Sequence, residues 1–230
     1  MDWFTADLHF RHNNIVKHSL RTLFMSESER EVVERGDRRE IERLRISRES
    51  TDRMNDGFTD EINRVVQPHD RLWILGDFAY PRRSDSPHEV CRVYRFYRER
   101  FNCRNVVLVW GNHDPPTDSK ARDLISRVFS KTYDKLTTRV EGQKIHMNHE
   151  PVAIWDGRHH GVWHLYGHTH SNGEPWLEEV MPGRFGMDVG VDNAFKILGE
   201  YRPFSFKEIG DIMRNKSGFG LLKSRQYHHN

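Results

Sequence analysis

Asp7 and His9 in the fragment ADLH, Asp77 in LGDF, Asn112 in WGNHD, His149 in MNHE, and His168 and His170 in YGHTH all carry side chains that bind cations. Together they offer two carboxylates, four imidazoles and one amide carbonyl. A single zinc ion usually takes four ligands, so this set is too large for one. It suits two divalent ions that share a carboxylate. Nitrogen and oxygen donors without thiolate favour manganese first, with iron, zinc or nickel as alternatives, over calcium or magnesium. Two such ions against Asp7, Asp77 and one hydroxide leave the centre net positive. That charge would attract an anionic phosphate and stabilise the charge that builds up in its transition state. His168 and His170, two residues apart, converge only if the backbone there is extended.

Elements that could gather these residues are visible around them. The β-favouring runs WFTA, RLWIL, NVVLVW, KIHM, GVWHLY and FGMDVGV each stop abruptly, and five of them stop where the polar fragments begin. Between them lie helical patterns. SPHEVCRVYRFYRERF has Ser86 as N-cap, Pro87 at the first helical position, and Val90, Val93, Tyr94, Tyr97 and Phe101 on one face. DSKARDLISRVF starts the same way at Asp118, with Leu124, Ile125, Val128 and Phe129 inward. Strands alternating with helices predict an α/β fold. In such folds ligands collect outside the carboxyl ends of the strands, where these fragments lie. Gly76, Gly111 and Gly167 fit a chain that turns sharply close to the site.

Composition narrows the partners. The chain has 230 residues, enough for one substantial domain and short for two, so residues 1–230 are expected to form a single domain. A charge of +2 gives no global attraction for nucleic acid or an anionic membrane, so a small phosphate-ester substrate is favoured over nucleic acid. No apolar run approaches the ~20 residues that span a bilayer, and the N-terminus does not read as a signal peptide. Cys91 and Cys103 lack metal or disulfide spacing and read as core residues, pointing to a reducing, cytoplasmic setting. The segment from 26 to 50 is dense in both charge signs, with a narrow stripe of Val33, Ile41 and Leu44 broken by Gly36. It is either a solvated helix laced with ion pairs or an arm over the site. Beside the principal donors, Arg21 could clamp a phosphate oxygen or simply be solvated. His146 and His164 read as structural, His159 and His160 as loop residues, and the terminal His228, His229 and Asn230 carry no motif.

The ordered fragments D-x-H, G-D, G-N-H-D, H and G-H-x-H resemble the calcineurin-like metallophosphoesterase superfamily. FTADLHFRHNNI and VGVD…YRPFSFKEI extend the likeness to a small single-domain bacterial and phage branch, relative to which 26–50 looks like a charged helical insertion. The resemblance implies a β-sandwich of two mixed sheets flanked by helices, in four α/β/β/α layers. It implies that Asp7, His9, Asp77 and His170 hold one metal, and that Asp77 bridges to a second completed by Asn112, His149 and His168. A bridging hydroxide would attack phosphorus, His113 would protonate the leaving oxygen, and Asp114 would orient His113. His12 is placed near the substrate. The expected reaction is hydrolysis of a phosphodiester or pyrophosphate in a small substrate such as a nucleotide. A nuclease acting on single strands or ends is the alternative, and an inactive scaffold a more distant one.

Overall fold

The expected apolar runs become the strands that carry the site. The computed structural model describes residues 1–220, so the terminal His228, His229 and Asn230 lie outside the described residues. Strands β1 (Asp2–Thr5), β2 (Arg71–Leu75), β3 (Asn105–Val109) and β4 (Lys131–Tyr133) run parallel, and β9 (Phe204–Ser205) joins β1 antiparallel. A second sheet orders β5 (Lys135–Val140), β6 (Gln143–Asn148), β7 (Trp163–Tyr166) and β8 (Gly186–Asp188), with only the β5–β6 pair antiparallel.

Alternation along the first sheet explains its unbroken apolar character. Phe4, Trp73, Leu75, Val107 and Val109 face the second sheet and pack with Val140, Ile145, Met147, Leu165 and Met187. Their neighbours Leu72, Ile74, Val106 and Leu108 face the opposite way, into a core shared with the helices. Strands buried on both faces must be apolar throughout. Each large side chain buried in this way contributes roughly 1.5–3 kcal/mol.

The helical layer on the first sheet consists of α1 (Asn13–His18), α4 (Arg48–Val65), α5 (Pro87–Arg98) and α6 (Lys120–Ile125). Ser86 caps α5 in a reciprocal capping box with Glu89, and Pro87 takes the first helical position as the sequence predicts. Helix α6 departs from expectation: Ser119, not Asp118, is its N-cap, and it ends at Ile125. Asp118 sits at φ +63°, a turn conformation in which it cannot cap. The outer face of the second sheet is covered more thinly, by the 150–162 loop and α7 (Glu174–Val180). There His164 is buried and accepts a hydrogen bond from the Val152 amide, the structural role expected for it. Helices α8 (Val191–Leu198) and α9 (Phe206–Gly220) follow β8 and β9.

The charged segment is not one helix. Helices α2 (Glu27–Glu34) and α3 (Arg38–Arg43) are separated by Gly36 at φ +73°, and the chain then enters α4 through the Ser47 cap. Outward charges pair on the surface, Arg35 with Glu40 and Arg38 with Glu42. Inside, buried Glu29 accepts from the amides of Ser26 at 2.8 Å and Ser47 at 2.6 Å, fastening the start of α2 to the start of α4. Burial alone would raise the Glu29 pKa, but hydrogen bonds from Ser50, Ser47 and Ser26 outweigh it and hold it at about 2. Lys17 of α1 donates to the Glu42 and Leu44 carbonyls and ties the segment against the loop that follows β1. Both sequence readings therefore hold part of the truth: the outer face is solvated, and the inner face walls a cleft.

Candidate metal centre

The loops that leave the strands keep pairing after the strands end. Asp7, His9 and Phe10 amides donate to the carbonyls of Gly76, Asp77 and Phe78, so the post-β1 and post-β2 loops run side by side. Within the second sheet the Gly167 amide likewise donates to His149 O, extending the β6–β7 pairing past the strand ends, and across the sandwich Val191 N donates to Ala6 O, binding the carboxyl ends of the two sheets together. Space there is minimal. A Cβ at Gly76, whose φ is +92°, would lie 2.3 Å from His149 Nδ1, and one at Gly167 would lie 2.5 Å from Asp7 Oδ2.

All seven expected donors converge at this edge. Asp7, His9 and His170 present ligand atoms within 4.8 Å of one another, as do Asp7, Asp77 and His149. Asp77 Oδ2 lies 3.4 Å from His9 Nε2 and 3.4 Å from His149 Nε2, between the two clusters. Asn112 Oδ1 sits 2.9 Å from both His149 Nε2 and His168 Nδ1, gathering the remaining donors. His168 and His170 do face separate clusters, although not from the extended backbone inferred above. Asp7, His9, Asp77, His168 and His170 all adopt φ between 47° and 71°. Left-handed backbone costs a non-glycine residue on the order of 1 kcal/mol, and it concentrates where function fixes the geometry.

The chemistry of the donor set fits divalent cations. His9 is buried, yet neither ring nitrogen has a hydrogen-bond partner. A buried polar atom left unmatched costs roughly 1–3 kcal/mol, which a cation opposite Nε2 would offset. His149 Nδ1 is engaged by the Leu75 carbonyl at 2.7 Å, which leaves Nε2 to face Asp77. His170 Nδ1 is engaged by Asp192 at 2.6 Å, which leaves Nε2 to face Asp7. Backing a ligating imidazole in this way fixes its tautomer and raises its basicity. Burial raises the Asp7 pKa well above the carboxylate range, against the pull of His170 and His149. Asp77 is held below that range despite burial, through its hydrogen bond from His149 and the charges of His149 and His9.

Two expectations need correction. Asp114 does not orient His113. Its carboxylate is buried and accepts from the amides of Asp77, Phe78 and Gly111 and from the Tyr94 hydroxyl. Adjacent residues in this tight turn point apart, so Asp114 stitches the post-β2 loop to the post-β3 loop. Arg21 is neither a phosphate clamp nor solvated, being 0% exposed. Its guanidinium grips Asp192 through Nε at 2.8 Å and Nη2 at 2.9 Å, donates to the Asp7 and Leu8 carbonyls, and lies over the Phe58 ring. A buried bidentate pair has no free donors for substrate.

His113 is exposed, with its ring 5.3 Å from that of His9, and its amide donates to Asp77 Oδ1 at 2.9 Å. His12 stands beside it, stacked on Tyr80 at 3.8 Å and 5.5 Å from His9. Burial and then the charge of His113 lower its pKa to about 4. His160 lines a separate cleft with Arg139 and Asp156. Two acidic residues with a part in the site went unassigned in the sequence. Asp192 backs His170, and Asp188 accepts from Thr169 Oγ1 and from the Ser171 and Gly190 amides, bracing the GHTH turn. Their signal was present in MDVGVD, a run leaving a strand, but carboxylates that support a ligand from behind follow no spacing rule.

Comparison with known proteins agrees with this geometry. The calcineurin-like phosphoesterase family model matches residues 3–188. A solved structure of a protein of unknown function from Aquifex aeolicus is similar in fold, with a TM-score of 0.57 at 19% identity, covering 92% of this chain and 98% of that one. No curated protein sequence matches significantly. From the matched span, which includes every donor named above, the chain belongs to the calcineurin-like phosphoesterase family.

Proposed function

We propose that this protein is a two-metal phosphoesterase that hydrolyses a phosphodiester or pyrophosphate bond in a small substrate such as a nucleotide. The observation that carries this reading is the position of Asp77 Oδ2, 3.4 Å from each of two buried imidazoles, His9 and His149, that belong to different donor clusters. Asp7, His9, Asp77 and His170 would hold one ion, and Asp77, Asn112, His149 and His168 the other, with manganese the expected metal. Bound there, two divalent ions supply an activated water and offset phosphate charge.

The chain's own groups do the rest. His113, exposed at the mouth beside His9, gives a proton to the departing oxygen. Asp114 keeps the Asp77 and Gly111 backbones in register, so that the carboxylate and the acid share one geometry. His12 and Tyr80 form the threshold over which substrate enters. Two buried, unbridged cysteines suit a reducing cytoplasm. Among the described residues no helix is long and apolar enough to cross a membrane.

Hydrolysis of bis- and mono-p-nitrophenyl phosphate with added manganese, before and after chelation, tests the function. Chelator-sensitive hydrolysis with a preference for the diester is expected. Inactivity on both esters with metal present would return the chain to a scaffold role. His113→Ala should keep its metals while turnover drops ~10²–10⁴-fold.

A further inference from the structure

Beyond His12 the entrance widens into a cleft of about 890 Å³. One wall is the inner side of the 26–50 segment, with Arg43 and Arg45; the opposite wall is the loop after β2, with Arg82 and Arg83. These four guanidiniums are exposed, and among the described residues none has a carboxylate within salt-bridge reach. Nearby acids are already engaged: Glu42 by Arg38, Asp52 by Arg48, and Asp85 by Arg11. In a chain whose formal charge is only +2, this concavity holds an unneutralised excess of positive charge next to the metal centre. Like charges brought together repel one another, and an anionic ligand relieves that repulsion.

The cleft continues through Arg11, Arg82 and Tyr97 into a second groove of about 530 Å³ along α5. There Arg92, paired with Glu89, lies near Phe96, a ring 59% exposed with the guanidinium of Arg100, itself paired with Asp56, 5.8 Å from its centroid; this groove adds a ring more than free charge. One exposed aromatic ring beside a run of arginines matches a short strand of nucleotides, whose phosphates seek cations and whose bases seek a ring to stack on. A mononucleotide held at the metal centre would leave both grooves unused, and inorganic polyphosphate would leave Phe96 without a partner. A lipid surface would require a continuous apolar patch in place of arginines beside one ring.

We propose that the two grooves bind the flanking nucleotides of a short single-stranded oligonucleotide whose scissile phosphate lies at the metal centre. The proposal rests on the phosphoesterase reading above and makes the small nucleotide the end unit of a strand. In this arrangement the 26–50 segment supplies one wall of the strand's path.

The test uses the full chain and a fluorescein-labelled single-stranded DNA hexamer. Anisotropy on chelated wild-type protein should show binding that weakens with salt. Arg45→Ala/Arg83→Ala should weaken it on the order of tenfold and flatten the log–log salt slope by about 1.4, at ~0.7 per lost phosphate contact on a single strand. With manganese, the double variant should lose ~10-fold more kcat/KM on the hexamer than on bis-p-nitrophenyl phosphate, because only the hexamer reaches the grooves. Equal loss on both substrates, or affinity for the hexamer unchanged by the substitutions, would overturn the proposal. So would tripolyphosphate displacing the hexamer at equal concentration, since the ring would then contribute nothing. A hexamer neither bound nor cut by an enzyme active on the nitrophenyl diester defeats the subsite alone. Inactivity on every ester defeats the phosphoesterase reading, and the anisotropy measurement still decides the subsite.

Discussion

His170 reaches the donor cluster with Asp7 and His9 because Asp192 holds its Nδ1 from behind, and Asp192 is in turn held by Arg21. This relay fixes which ring nitrogen faces Asp7. Removing a group that backs a ligating imidazole typically costs ~10–100-fold in metal affinity, so Asp192→Asn is expected to weaken manganese binding by that factor in a calorimetric titration. Unchanged affinity would show that His170 finds its orientation unaided. Arg21→Ala leaves Asp192 charged and buried with one partner fewer, a change that costs about 3–5 kcal/mol and is read by denaturant unfolding. A loss under 1 kcal/mol, the range of exposed pairs, would contradict the buried clamp. The seven converging donors could be named from the sequence because their types are rare after apolar runs. Arg21 and Asp192 could not, since a single arginine and a single aspartate 171 positions apart announce no contact.

The turn after β3 does more than present His113. Asp114 within it accepts four hydrogen bonds and so sets the distance between the loops that follow β2 and β3. Asp114→Ala strands the amides of Asp77, Phe78 and Gly111 and leaves the Tyr94 hydroxyl only the Ala79 carbonyl, and is expected to destabilise the fold by about 2–4 kcal/mol while also reducing metal content. Full stability with metal retained would mean that the loops hold each other without it. Adjacency in sequence suggested a His113–Asp114 pair, but a tight turn sends neighbours in opposite directions, which the letters alone do not reveal. Strands buried on both faces were readable as apolar runs. By contrast, β5 alternates exposed Lys135, Thr137 and Arg139 with half-buried neighbours, and β4 and β9 are too short to stand out. The 26–50 segment read as a helix interrupted at Gly36 from its charge pattern, and the left-handed glycine there does end α2, but its buried Glu29 hub depends on contacts with the start of α4.

The seven donors come from loops on both sheets, so occupancy of the centre and stability of the whole chain are coupled. An ion at 100 times its Kd adds about 2.7 kcal/mol, which for a chain of this size raises Tm by roughly 5–10 °C. Chelation should reverse the shift, and a Tm indifferent to manganese would count against a centre that spans the sandwich. Acid acts elsewhere. Glu29 and Glu208 are each held at about 2, below the usual carboxylate value, by hydrogen bonds that burial does not cancel. Because their folded pKa values are depressed, their contribution is intact above the unfolded value of ~4.3 and is lost as pH falls toward 2. Unfolding free energy should decline across that window, and Glu29→Gln together with Glu208→Gln should make the decline shallower; an unaltered slope would assign it to other carboxylates. The measurement that bears most directly on the two-metal centre is anomalous diffraction from a crystal soaked in manganese. Two peaks roughly 3.5–4 Å apart, with the Asp77 carboxylate between them, are the predicted result. A single peak, or none among these seven side chains, would contradict it.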